Sequence, residues 1–155
     1  MALSKGRKAP DFQLASTEGR TFRLSETMAG RPCILYFYPK DFTPGCTKEA
    51  CDFRDNFSFF KELDIDVVGI SKDSVNTHKK FKEANQLPFE LLADEKGEVS
   101  KKYEALVPLL GVNRRITYLL NKDHEIVSSF ESMFAASKHI KQMVAAVKAH
   151  VADKS

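Results

Sequence analysis

The chain has 155 residues, 43% of them hydrophobic and 29% charged, a balance that fits one globular domain over residues 1–155 and excludes intrinsic disorder and collagen-like fibres. Lys and Arg number 24 against 21 Asp and Glu, a net charge of +3 that is too small and too interspersed for a surface tracking nucleic-acid phosphates. No apolar run approaches the roughly 20 residues that a membrane span needs, and Met1 to Lys8 lacks the apolar core of a signal peptide. A cytoplasmic residence is expected, with neither membrane nor nucleic acid as partner.

In chain order, Cys33 to Tyr38 (CILYFY) and Asp66 to Ser71 (DVVGIS) are uninterrupted runs of β-formers. They read as strands buried on both faces, as in a parallel central sheet. Between them, Phe53, Phe57, Phe60 and Leu63 recur at helical spacing, which predicts one crossover helix from Thr47 to Leu63. Ser74 is placed to cap a helix that uses Val75, His78 and Phe81. Pro88 to Leu92 predicts a short strand and Asp94 to Tyr103 a further helix. Arg115 to Leu120 and Glu125 to Phe130 read as strands joined by the polar turn Asn121 to His124, hence an antiparallel pair. Ala135 to Val151 carries Ile140, Met143, Val144, Val147 and Val151 on one face of a closing helix. Alternating strands and helices that end in a hairpin predict an α/β fold, a thioredoxin-like three-layer sandwich with a mixed central sheet flanked by helices.

Three cysteines, Cys33, Cys46 and Cys51, are too few and odd in number for a disulfide scaffold, which directs attention to thiol chemistry. The segment Pro39-Lys40-Asp41-Phe42-Thr43-Pro44-Gly45-Cys46 runs from a buried strand through a tight loop into a helix, so Cys46 lands in a first helical turn. Unpaired backbone N–H groups and the positive end of the helix dipole favour an anion there, which predicts a thiol that ionises more readily than the ordinary value of about 8.5. Pro44 withholds a donor, and Gly45 lets a ligand approach the backbone. The Thr43 hydroxyl, three residues before the sulfur, can donate and accept toward a small polar substrate such as a hydroperoxide. A fixed cation is needed where the leaving oxygen gathers charge. Arg115 is preferred for it, with Arg114 left open by spacing alone.

Cys33 opens an apolar strand and reads as core. His78, His124, His139 and His150 share no ligand spacing, so no metal is expected. A phosphate loop and a dinucleotide glycine fingerprint are missing, so no cofactor is expected either.

Pro39, Thr43 and Cys46 form the pattern PxxxTxxC, and Cys51 follows five positions on. With these residues, with Gly6 to Phe12 near the start and with Arg115 to Leu119 later, the chain resembles the peroxiredoxins, in particular the bacterioferritin comigratory protein or peroxiredoxin Q subfamily. The resemblance implies Cys46 as peroxidatic thiol, Thr43 and Arg115 as its activating partners, Pro39 as a shield of the pocket, and Cys51 as resolving thiol. Glu49 matches a recurrent polar position near the arginine. Asn121 and His124 stand where the family pattern has an aspartate and a turn glycine. The implied activity is a thiol peroxidase acting on hydrogen peroxide and small organic hydroperoxides, regenerated by thioredoxin or a similar dithiol.

Residues five apart on an intact helix have Cα atoms about 8 to 9 Å apart. A disulfide needs less than about 7 Å. A bridge between Cys46 and Cys51 therefore requires the first helical turns to unwind. Resolution within one chain calls for no dimer, so a monomer is expected and a dimer allowed. Two competing readings are a general dithiol-disulfide oxidoreductase, disfavoured because CxxC is missing, and a redox sensor that recruits a partner when its disulfide forms.

Overall fold

A computed structural model of the chain describes residues 2–133 and 135–154. The elements are β1 (Gln13–Ser16), β2 (Thr21–Arg23), α1 (Leu24–Thr27), β3 (Cys33–Phe37), α2 (Pro44–Asp55), α3 (Phe57–Glu62), β4 (Asp66–Ser71), α4 (Val75–Asn85), β5 (Glu90–Ala93), α5 (Glu98–Lys102), β6 (Ile116–Leu120), β7 (Ile126–Glu131) and α6 (Ala136–Lys154). Among the described residues the strands form one seven-stranded sheet in the order β2-β1-β5-β4-β3-β6-β7. β5, β4 and β3 run parallel, whereas β3 with β6, β6 with β7, β1 with β5 and β1 with β2 pair antiparallel. The mixed sheet and the closing hairpin agree with the thioredoxin-like sandwich expected from the sequence.

Every residue of β3 is buried, because the strand alternates its side chains between two cores. Cys33, Leu35 and Phe37 pack with Phe12, Phe22, Tyr103 and Tyr118 on one face. Ile34 and Tyr36 pack with Ala50, Phe53, Phe60, Phe81, Met143 and Val147 on the other, beneath α2, α3, α4 and α6. The uninterrupted apolar run in the sequence thus reflects a central strand covered by helices on one side and by the N-terminal segment and α5 on the other.

The structure corrects several boundaries. The crossover is two helices, not one: Asn56 leaves helical geometry at φ −107° and ψ 7°. Its Nδ2 donates to the Asp52 carbonyl at 2.8 Å, and the break lets Phe53 and Phe60 both reach the core. The helix expected over Asp94 to Tyr103 shortens to α5, because the Asp94 carboxylate first accepts from the N–H groups of Val99 and Ser100. β1, β2 and α1 lay outside the expectation. They are short and mostly exposed, so their pattern is weak, and Phe22 is the fully buried anchor of β2. At the hairpin, His124 occupies left-handed backbone at φ 61° and donates through Nε2 to the Met28 carbonyl, 2.8 Å away. That carbonyl can only accept, so Nε2 carries the hydrogen. Asn121 Oδ1 accepts from the N–H groups of Asp123 and Glu125. These contacts explain why a histidine and an asparagine can shape this turn.

Candidate active site

β3 delivers the chain to the site. Tyr38 is still buried and its N–H donates to the Ile70 carbonyl at 3.1 Å; the half-buried Pro39 then ends the pairing. The loop that follows is anchored from beneath. Asp41, 3% exposed, accepts from the Tyr38 hydroxyl at 2.5 Å through Oδ1 and meets His78 Nδ1 at 2.6 Å through Oδ2. His78 Nε2 donates to the Leu92 carbonyl at 2.9 Å. The Leu92 carbonyl can only accept, so His78 Nε2 carries a hydrogen. The Asp41 N–H donates to Asp73 Oδ2, which also accepts from Ser71 Oγ at 2.5 Å. Asp41, Asp73 and His78 bring three ligand-type groups together, each already hydrogen-bonded within the protein. Phe42, above this anchor, adopts left-handed backbone at φ 61° and sets its ring edge-to-face on Phe81.

α2 begins at Pro44, so Cys46 is its third residue and only 2% exposed. The first helical bond runs from the Thr47 N–H to the Thr43 carbonyl at 2.9 Å. Thr43 sits at the cap position but does not cap: its hydroxyl donates to the Lys40 carbonyl at 2.8 Å, leaving its lone pairs as acceptors. Pro44 has no N–H, so the donors of the opening turn are those of Gly45 and Cys46. An uncapped start forgoes about 1 kcal/mol of helix stability.

Arg115, just before β6 and 5% exposed, supplies the guanidinium over this turn. A Cβ on Gly45 would lie 2.9 Å from its NH2, so only glycine admits the guanidinium this closely. NH1 donates to Glu49 Oε1 at 2.7 Å, and Nε donates to the Met133 carbonyl at 3.2 Å. Burial works against its charge, but Glu49 and the Cys46 sulfur hold it, and the guanidinium is raised above its ordinary value. Arg114 gives its main-chain N–H to the Ala105 carbonyl. The cation hydrogen-bonding toward Cys46 is that of Arg115.

Glu49 is fully buried, and burial pushes its carboxyl up to about 8 although Arg115 pulls the other way. Its Oε2 has no hydrogen-bond partner and lies 3.6 Å from His139 Nδ1 on α6. His139 donates through Nε2 to the Ser132 carbonyl at 2.9 Å and accepts at Nδ1 from the Thr117 hydroxyl at 2.8 Å. Burial lowers it to about 4, so the ring is neutral near pH 7.

Cys51 lies on the same helix, half-buried, with its thiol donating to Asn85 Oδ1 at 3.7 Å. Asn85 Nδ2 donates to the Phe81 carbonyl, which fixes the amide, and Arg54 NH1 donates to the Asn85 carbonyl at 2.7 Å. α2 continues from Cys46 through Cys51, so the spacing expected of an intact helix applies. Cys33 is distant in environment: fully buried in the opposite core, with burial pushing its thiol up to about 12. Of the five residues singled out from the sequence, Thr43, Cys46 and Arg115 gather around the opening of α2, Pro39 stands at the head of the same loop, and Cys51 lies one and a half turns on. Tyr38, Asp41, His78, Thr117 and His139 were not singled out as a group. Their sequence positions are ordinary; α4 passing the loop after β3 brings His78 to Tyr38 and Asp41, and α6 packing on β6 brings His139 to Thr117.

A sandwich of this topology, with a helix-start cysteine beneath a buried guanidinium, defines a thioredoxin-fold thiol protein. The chain belongs to the AhpC/TSA family, whose pattern matches residues 5–129. It is similar to Peroxiredoxin Q, chloroplastic, of Oryza sativa subsp. japonica, 44% identical over 139 residues. That match takes in 89% of this chain but 64% of the rice protein, so the chain spans less than two-thirds of that relative. Among solved structures it is similar to peroxidoxin BcpB from Mycobacterium tuberculosis, at 34% identity and TM-score 0.88, covering 95% of this chain and 97% of that one. It is also similar to the Xanthomonas campestris bacterioferritin comigratory protein, described for alkyl peroxide reduction activity, at 27% identity and TM-score 0.83, covering 95% of this chain and 99% of that one.

Proposed function

We propose that the chain is a cofactor-free thiol peroxidase that reduces hydrogen peroxide and small organic hydroperoxides, with Cys46 as the attacking thiolate. The observation that carries this reading is the convergence of the Arg115 guanidinium and the first turn of α2 on the Cys46 sulfur. The likeness to a protein described for alkyl peroxide reduction supports the organic substrates.

The thiolate attacks the terminal peroxide oxygen, the O–O bond breaks, and the other oxygen leaves as water or alcohol on taking a proton, so that thiolate, ROOH and one proton give sulfenic acid and ROH. Arg115 and the Gly45 and Cys46 N–H groups stabilise the charge spread over sulfur and both oxygens. Thr43, its hydrogen engaged by Lys40, accepts from the peroxide O–H and so orients it. Pro39 closes the loop side of the pocket. The sulfenic acid then condenses with the Cys51 thiol, releasing water and forming an intramolecular disulfide. An external dithiol of the thioredoxin type returns both cysteines to thiols by exchange.

Condensation needs the first turns of α2 to open, and the helix start favours that with an end uncapped by any side chain and a glycine at its second residue. Cys46 leaves Arg115 and Cys51 leaves Asn85 in the same motion. We place the reaction in a compartment that keeps thiols reduced, the cytoplasm being the reading that the cysteine usage favours. Among the described residues no helix is long and apolar enough to cross a membrane. One chain suffices for the cycle, so we propose a monomeric catalytic unit.

The test is turnover with thioredoxin and its reductase. Many equivalents of peroxide consumed per chain support the enzyme; consumption that stops after one equivalent, with the disulfide formed, means a sensor. In Cys51→Ser the first equivalent should react as fast as before and the cycle should stall at the sulfenic acid.

A further inference from the structure

We propose that Glu49 holds a proton while Cys46 is a thiolate, so that the single charge of Arg115 serves the sulfur, and that Glu49 releases this proton when the sulfur is oxidised. The proposal rests on Cys46 being the peroxidatic thiol, and it makes Glu49 a positioning residue that acts through Arg115.

Geometry supplies the first argument. Glu49 Oε1 is satisfied by Arg115 NH1, but Oε2 is buried without a partner. The nearest ring nitrogen, His139 Nδ1 at 3.6 Å, is not a donor. The hydrogen on that ring is committed at Nε2 to the Ser132 carbonyl, and Nδ1 already accepts from Thr117. An ionised Oε2 would set its lone pairs against another lone pair in a dry site. Protonation of Oε2 removes that opposition, leaving a neutral hydroxyl rather than a charged oxygen beside the occupied Nδ1 lone pair.

Charge counting supplies the second. The groups facing Glu49 are Arg115 ahead of β6, Asp52 on α2, Tyr36 on β3 and the neutral His139 on α6, and Cys46 on α2 shares that same Arg115. Asp52 is answered by Lys48 at 2.8 Å. Arg115 alone is left to balance both Cys46 and Glu49. Two anions on one buried cation leave a net negative charge in low dielectric, which is costly; one retained proton restores neutrality. Burial, which pushes Glu49 up to about 8, puts that proton on the carboxyl at neutral pH.

The redox step then balances without a proton from solvent. Cys46 thiolate, protonated Glu49 and ROOH give Cys46 sulfenic acid, Glu49 carboxylate and ROH. Sulfur gains oxygen and loses two electrons, the O–O bond is reduced, and the total charge is unchanged. The newly formed carboxylate pairs with the guanidinium that the neutral sulfur no longer needs.

Infrared difference spectroscopy tests this. Reduced protein near neutral pH should show the carbonyl stretch of a buried protonated carboxyl, absent in Glu49→Gln. The band should fade as pH is raised through about 8. In Cys51→Ser, where oxidation halts at the sulfenic acid, one equivalent of peroxide should remove the band with no proton taken from a weak buffer. If Glu49→Gln does not fold, isotope-labelled glutamate in the unaltered chain gives the same readout. A missing band in the reduced protein, a band that survives oxidation of Cys46, or uptake of one proton per sulfur overturns the proposal. A band that is present while Cys46 resists peroxide overturns the peroxidase reading and the proton release with it, but leaves Glu49 protonated as described.

Discussion

Cys33 and Cys46 are both buried against the central sheet, 0% and 2% exposed, and their surroundings differ in every other respect. Cys33 starts a strand in an apolar core, where burial outweighs the nearby Arg31 and pushes its thiol up to about 12. Cys46 starts a helix, with an arginine hydrogen-bonding toward its sulfur and a polar network of Glu49, Thr117 and His139 behind that arginine. Burial by itself makes a thiol inert. Burial beside a fixed cation and open backbone donors makes a site, because the same dry surroundings that penalise an isolated charge strengthen a paired one.

The contrast can be broken most severely at the sulfur. Cys46→Ser should lower peroxide consumption by at least about a thousandfold, since an alcohol is not an anion at neutral pH; the coupled turnover assay reads it. Arg115→Lys keeps the charge and loses the planar fork that bonds Glu49 and Cys46 at once. The rate of the first oxidation, measured by stopped flow, should fall roughly a hundredfold.

The network behind Cys46 should also leave a mark on stability at acid pH that the Cys33 side does not. His139 is lowered to about 4 in the folded chain from about 6.5 unfolded, so unfolded chains bind the extra proton between those values. This group's contribution is present above about pH 6.5 and is lost as pH falls toward 4, about 3 kcal/mol in all. Denaturant titrations of the wild type and His139→Asn should show the acid limb flattened in the variant. The smallest effect is expected from Cys33→Ala. Peroxide turnover should be unaltered and stability should drop by about 1 kcal/mol for the small cavity. Part of the alkaline destabilisation between about 9 and about 12 should disappear with the thiol, because its folded value is raised and its stabilising share is lost as pH rises through that range.

Much of the fold was legible because its strongest signals are local. The runs CILYFY and DVVGIS mark central strands, Ser74 caps α4 by accepting from the Thr77 N–H at 3.2 Å, and the polar turn from Asn121 to His124 joins an antiparallel pair. The weak places were those where tertiary contacts decide. Asn56 breaks the crossover by a side-chain bond to Asp52, and the short β2 depends on Phe22 reaching a core that sequence pattern alone does not reveal. The candidate site divides in the same way. Cys46, Thr43 and Pro39 belong to one continuous loop, so their spacing carries information. Glu49 and Arg115 stand 66 residues apart, and His78 reaches Asp41 across 37. Those pairings arise from β6 lying beside β3 and from α4 crossing over the loop, which no spacing encodes.

Rapid-quench mass spectrometry at neutral pH, with one equivalent of hydrogen peroxide added to the reduced chain, bears on the central claim most directly. The account predicts oxygen on Cys46 first, at a rate at least about a thousandfold above free cysteine under the same conditions, then a bridge from Cys46 to Cys51 with Cys33 untouched. Oxygen arriving first on Cys33 or Cys51, or on Cys46 no faster than on free cysteine, would contradict it.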